Sequence, residues 1–238
     1  MRLPTRPFVS FLACVIGALA FLVPAVAQQG VVLDPQAAAM RDHEHSRIHS
    51  GKQPDAPPIP PGADMSRHET PFAQPRQSLH EALCSLAPDA VVTATINGGT
   101  PKLTEGRTLV YTDYEATVED VLRSPTGSLL TSGDQIVVTR LGGAVPEGGK
   151  FTKWESSSRA PLEAGQRYLL LLRHLQATDT FVANSVGSAF ALSDSTLRHA
   201  GANPLNVEEL EDGRPILHVI ADLQYALAQP CGRQGGRQ

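Results

Sequence analysis

Between Arg107 and Arg123 polar and apolar positions alternate over an unusual length. Thr108, Val110, Thr112, Tyr114, Ala116, Val118 and Leu122 fall on one side, and Asp113, Glu115, Thr117 and Glu119 on the other. This is the period-2 pattern of a half-buried antiparallel strand. Asp120 interrupts the apolar side near its end. At about 3.3 Å per residue such a run spans on the order of 55 Å, whereas a typical strand has about 5 to 6 residues. A strand that long must bend, so the pattern predicts a small curled antiparallel sheet or a barrel.

The same reading places the neighbouring elements. Ser78-Leu79-His80-Glu81 has the spacing of a capping box, followed by Leu79, Ala82, Leu83 and Leu86 at helical intervals, and the helix must stop by Ala87, ahead of Pro88. Ala90 to Ile96 is a β-branched run closed by the turn signal Asn97-Gly98-Gly99, and Asp134 to Leu141 is a further strand that stops at Gly142-Gly143. The paired glycines are read as a bulge or tight corner. Val145 to Ser158, with Gly148-Gly149 and Trp154, reads as a loop. Pro161 to Gly165 is a turn, and Tyr168 to Leu172 is apolar on both faces, as the central buried strand would be. Thr180–Asn184 and Ser188–Leu192 are expected to pair as a last hairpin about Val186-Gly187. Ile216, Val219, Ile220, Leu223, Ala226 and Leu227 form one helical stripe after Pro215, whose missing amide costs little in a first turn.

The N-terminus has a different pattern. Arg2 and Arg6 precede the apolar run Phe8 to Val23 and the small-x-small site Ala25-Val26-Ala27, which predicts a secretory signal peptide (1–27) cut between Ala27 and Gln28. The run is interrupted by Pro24, and no second hydrophobic stretch follows, so no membrane span is expected after cleavage. Without Arg2 and Arg6 the chain carries 18 basic against 24 acidic residues. That balance argues against nucleic acid or an anionic membrane as partner. Cys14 leaves with the signal, and Cys84 and Cys231 remain. An even count in an oxidising compartment predicts one disulfide between them. The absence of Cys-x-x-Cys spacing argues against a redox pair.

Residues 28–76 are rich in proline and poor in large apolar side chains, so they read as a disordered Pro/His-rich linker. Within it, His43, His45 and His49 are expected to hold divalent metal weakly, because tight sites need fixed partners around the imidazoles. His-Glu pairs occur at His43, His68 and His80, but Arg47, Phe72 and Cys84 stand four residues on, and the His-Glu-x-x-His pattern is absent. No nucleophile elbow, cysteine signature, dinucleotide fingerprint or other cofactor motif is found. Asp113, Glu115 and Glu119 are the best candidates for acid/base or cation chemistry, though a solvated outer sheet face explains their alternation.

The segments Val110–Leu122 (Val-Tyr-Thr-Asp-Tyr-x-Ala-x-Val-x-Asp-Val-Leu), the strand ending Gly142-Gly143 and Ala164–Leu172 (Ala-Gly-Gln-Arg-Tyr-Leu-Leu-Leu-Leu) together resemble a group of exported bacterial proteins. Their architecture is similar to the OB-type barrel of the netrin and tissue-metalloprotease-inhibitor class. The resemblance covers about residues 78–192 and implies an OB-like barrel; the barrel domain with its flanking helices is expected over 77–231, followed by a disordered tail at 232–238. In the inhibitors a cysteine at the mature N-terminus meets the protease metal; here the mature start is Gln28-Gln29, so that mechanism does not transfer. The expected function is that of a secreted or periplasmic, non-catalytic binding module for a protein or small-molecule partner. Gly142, Gly143 and Trp154 are its candidate contacts, since small barrels recognise partners through loops and one sheet face. The alternative is an exported hydrolase or other enzyme whose site leaves no local motif.

Overall fold

The computed structural model describes residues 39, 43, 57–66, 75–155, 159–183, 187–201 and 205–231. In chain order these form α1 (Leu79–Leu86), β1 (Ala90–Leu103), β2 (Val110–Arg123), β3 (Gln135–Leu141), β4 (Gly143–Glu147), β5 (Lys150–Trp154), β6 (Arg167–Leu175), β7 (Thr180–Val182), β8 (Ala189–Ser193), β9 (Thr196–His199), a 3-10 turn at Glu208–Leu210, and α2 (Ile216–Ala228). β1 pairs with β2, β2 with β3, β3 with β7, β7 with β6, and β6 returns to β1. The ring is therefore closed, an OB-like barrel flanked by an N-terminal and a C-terminal helix. One of its pairings, β3 with β7, is parallel.

Closure follows from how β6 is shared. Its whole N-terminal two-thirds lies against β1, while on the other edge residues 167–170 pair with β8 and residues 173–175 with β7. β8 and β9 thus leave the ring as a hairpin of their own. The expected Thr180–Asn184/Ser188–Leu192 hairpin does not form. Both segments pair instead with β6, because its Leu-rich core offers a longer apolar edge than either short strand offers the other.

Alternation along β6 divides two cores. Tyr168, Leu170 and Leu172 point into the barrel with Val92, Ala94, Ile96, Tyr114, Ala116, Val118, Val138 and Phe181. Leu169 and Leu171 point outward, into a second core with Leu79, Leu83, Phe190, Leu192, Leu197, Val219 and Leu223. Burial of each such leucine contributes about 1.5–3 kcal/mol. The two helices therefore cover one outer face of the barrel. α1 starts on the predicted capping box, in which Ser78 Oγ accepts from the Glu81 amide and the Glu81 carboxylate accepts from the Ser78 amide. Cys84 of α1 and Cys231, just beyond α2, form the expected disulfide, with their α-carbons 5.6 Å apart. Among the described residues no helix is long and apolar enough to cross a membrane.

Three further expectations change. β1 does not stop at Asn97-Gly98-Gly99 but runs through a bulge there to Leu103, because Gly99 lets the Tyr114 ring lie against the strand; a Cβ at that glycine would be 2.8 Å from two ring carbons. β2 begins at Val110 rather than Arg107, and its first half is buried on both faces, Tyr111 and Asp113 included. The stretch expected as a loop after Gly143 is a β-hairpin, β4–β5, turned by Gly148-Gly149 with φ of +54° and +79°, values that suit the tight turn of a two-residue hairpin.

Candidate functional site

Both glycines expected as a corner make one. Gly142 and Gly143 have φ of +112° and +138° and swing the chain out of β3 into the β4–β5 hairpin. A Cβ on Gly143 would lie 2.5 Å from Thr112 Oγ1, whose hydroxyl donates to the Gly142 carbonyl at 2.7 Å. The corner is thereby fixed to β2.

The hairpin is held at its other end by a polar clamp. Arg107, in the β1–β2 turn, donates through both terminal nitrogens to Glu147 of β4 (2.6 and 2.9 Å), a bidentate arrangement. Thr152 of β5 donates to the same carboxylate at 2.5 Å and accepts from the Gly62 amide at 2.9 Å. Arg107 also donates to the Ile59 carbonyl, and the Ile59 amide donates to the Arg107 carbonyl. The Arg107 hydrogen bonds, with that from Thr152, pull the Glu147 carboxyl down to about 2 against a modest opposing effect of burial. Residues 57–66, inside the segment expected as a linker, therefore dock: Ile59 is buried, and Ala63 and Met65 exchange backbone hydrogen bonds with Lys153. The remainder of that linker, apart from residues 39, 43, 75 and 76, lies outside the described residues.

Under the corner is a narrow recess lined by Tyr114, Arg140, Leu141, Gly142, Gly143, Trp154, Glu155, Arg159 and Pro161, with room for little more than a water molecule. Arg140 follows Ile136 and Val138 on the inward side of β3, so its side chain enters the barrel end where another apolar residue would be expected. It is 1% exposed. Nη2 donates to the Ala200 carbonyl at 3.1 Å, while Nε and Nη1 are buried and, among the described residues, without a hydrogen-bond partner, as is Nε of Arg159. Burial lowers the Arg140 pKa to about 10, and the neighbouring Arg159 charge pushes the same way while Tyr114 and Tyr168 oppose it. The two tyrosine hydroxyls accept from the amides of Leu162 and Glu163, closing this end of the barrel with the Pro161–Gly165 turn. Burial raises the Tyr168 phenol above its ordinary value, so it stays neutral.

The structure brings Gly142, Gly143 and Trp154 together as walls of this one recess. The other expected site residues are elsewhere. His43 has its Nδ1 3.6 Å from Glu105, both well exposed; His45 and His49, like the Ala27–Gln28 cleavage site, lie outside the described residues. Among the described residues no three His, Cys, Asp or Glu side chains cluster as a metal site. The acidic stripe is dispersed: Asp113 is buried and accepts from Thr139 at 2.5 Å, with Lys102 at 3.3 Å, and Glu119 is paired with Arg167 and Thr95. Glu115 alone of the three is exposed.

Two further histidines meet carboxylates, His174 with Asp179 (2.8 Å) and His199 with Asp212 (2.6 Å). In each ring the second nitrogen, Nδ1 of His174 and Nε2 of His199, is buried and has no hydrogen-bond partner among the described residues, and the rings pack on Phe181 and Phe190.

Sequence reasoning missed Arg140 and Arg159. The signal for Arg140 was present but masked, since Val137 and Leu141 make the opposite side of the strand apolar as well, and the inward side cannot be chosen from the pattern. Comparison with protein-family models finds no match, and a search of curated proteins finds none either.

Proposed function

We propose that this chain is an exported, non-catalytic binding module whose contact face is the β4–β5 hairpin and the barrel end beneath it. The observation that carries this reading is the way the hairpin is held. The Gly142-Gly143 corner, the Arg107–Glu147–Thr152 clamp and the docked 57–66 segment fix it on three sides, while Phe151 at its far strand is 63% exposed. A rigid projection with an exposed aromatic is the form of an interface anchor, since little conformational freedom is lost when it docks. The His–Asp pairs, whose second nitrogens are buried and meet no nucleophile among the described residues, favour binding over hydrolysis as the use of this fold. Export is supported by the Cys84–Cys231 bond, a feature of oxidising compartments, and by the N-terminal signal pattern. The OB-like strand order is compatible with the resemblance to the netrin and tissue-metalloprotease-inhibitor class.

The test is capture from periplasmic and extracellular fractions by the mature protein, beside a Phe151→Asp variant and a broad hydrolase screen. Partners retained by the native protein and lost by the variant are the expected result. Turnover of a substrate in the screen, or capture indifferent to Phe151, would remove the reading.

A further inference from the structure

Residues 57–66 meet the barrel in the manner of a bound peptide. The Ile59 amide donates to the Arg107 carbonyl at 2.8 Å, and the Ile59 carbonyl accepts from the Arg107 guanidinium. The Gly62 amide donates to Thr152 Oγ1 at 2.9 Å. Farther on, the Lys153 amide donates to the Ala63 carbonyl and the Met65 amide to the Lys153 carbonyl, both at 2.8 Å, a parallel bridge on the edge of β5 that β4 leaves open. Ile59, at 5% exposure, is the one buried side chain of the segment. Ten ordered residues that bury a single apolar side chain are weakly held, because ordering each residue costs conformational entropy. Preorganisation offsets part of that cost, since Pro57, Pro58, Pro60 and Pro61 fix φ on both sides of Ile59 and less freedom is lost on docking.

We propose that this groove, between the β1–β2 turn and the open edge of β5, is a peptide-binding site that 57–66 fills in the free protein, and that its ligand is a partner protein's extended segment with an apolar residue followed by Pro-Pro-Gly. The resident segment defines that class. Its main-chain bonds are those any extended chain makes when it adds to a sheet edge, and the pocket under Ile59 supplies selectivity. The glycine is selective as well: Gly62 has φ of +76°, and a Cβ there would lie 2.8 Å from the Lys150 side chain. β5 also carries the exposed Phe151, so the groove and the projecting aromatic lie on one strand. The assignment rests on the reading of this hairpin as the contact face and names what that face takes. The segment is then a built-in competitor: tethering presents it at an effective concentration on the order of 1 mM, and a partner enters by displacing it.

The probe is a dye-labelled peptide of residues 57–66, titrated with the full mature protein and followed by fluorescence anisotropy. Ile59→Asp in the protein puts a charge where the pocket is apolar and empties the groove of its own segment. Gly62→Val does the same through backbone strain and supplies the answer if the first variant does not fold. Saturable binding to the opened variants is expected, at least about tenfold tighter than to the native protein, whose own segment competes. Thr152→Val added to an opened variant should weaken binding by about twofold to tenfold, through loss of the acceptor for Gly62, and a peptide carrying Ile59→Asp should not bind. No saturable binding to either opened variant, equal binding to native and opened proteins, or equal binding of the Ile59→Asp peptide would overturn the assignment. Mixed dimers of native and opened chains in sedimentation would give the groove to a second copy and overturn the foreign partner. Peptide binding with no protein captured would leave the groove standing and the partner reading fallen; capture that needs Phe151 with no peptide binding would do the reverse.

Discussion

Glu147 shows how one side chain can govern a surface feature. Its carboxyl lies at about 2 because Arg107 and Thr152 bond its charged form, whereas in the unfolded chain it would titrate near the ordinary value of about 4.3. A carboxyl lowered by folding stabilises the native state above its unfolded pKa, and that contribution fades as pH falls from there toward the folded value. The melting temperature of the native protein should thus exceed that of Glu147→Gln by a constant amount above about pH 5.5, and the two curves should converge near pH 2. Parallel curves down to pH 2 would mean the clamp adds nothing. Gly143 makes a second residue-scale test. With φ of +138° and Thr112 Oγ1 2.5 Å from a would-be Cβ, Gly143→Ala should cost on the order of 1–3 kcal/mol in denaturant unfolding, whereas Gly148→Asn, with φ of +54° and open space around it, should cost under about 1 kcal/mol. The need for glycine at 142–143 was legible from the chain, because a strand that ends in two glycines has few other uses for them. The charge beneath them was not, since apolar residues on both sides of that strand hide which way Arg140 faces.

At the scale of elements, the strands with clear alternation were readable and the ones defined by their partners were not. β2 and the two-faced β6 follow from their own residues. The β4–β5 hairpin contains Pro146 and four glycines within Gly142–Gly149, a composition that speaks for loop; pairing with each other and with the docked 57–66 segment makes it a sheet. β7 and β8 are three and five residues long, too short to choose each other over the edge of β6. The 57–66 segment likewise has proline-rich composition and only Ile59 as a buried apolar side chain, so its order depends on hydrogen bonds to residues some 50 to 90 positions away. That dependence can be measured. Limited proteolysis of the mature protein should spare 57–66, and Thr152→Val, which removes both the acceptor for Gly62 and the donor to Glu147, should make cleavage there faster while the core from Ser78 onward stays resistant. Equal cleavage in both proteins would show that the clamp does not hold the segment.

At the largest scale the described residues form a barrel with a second core laid against one outer face, and the disulfide ties that outer layer together. α1 opens the barrel domain and α2 ends it, so every strand of the ring lies in the 147-residue interval between Cys84 and Cys231. Both helices are already docked without the bond: Leu79, Ala82 and Leu83 from one and Val219, Leu223 and Ala226 from the other share the outer core, and His80 Nδ1 lies 3.3 Å from the Ala226 carbonyl. The bond consequently changes the native state little and acts on the unfolded ensemble, where closing so long a loop removes roughly 5 kcal/mol of chain entropy in the simplest model. That is comparable with the whole stability of many domains, which is about 5–15 kcal/mol. Replacing both cysteines by serine should therefore lower the melting temperature sharply and leave the circular-dichroism spectrum in the cold nearly unchanged. Because the Arg140 recess and the clamped hairpin belong to the barrel rather than to the outer core, the Trp154 fluorescence spectrum of the folded variant should match the native one as well. Peptide mapping of exported, non-reduced protein by mass spectrometry should recover Cys84 joined to Cys231. Free thiols at both positions in that map, or a variant that melts with the native protein, would mean that packing of the helices alone sets the stability of this fold.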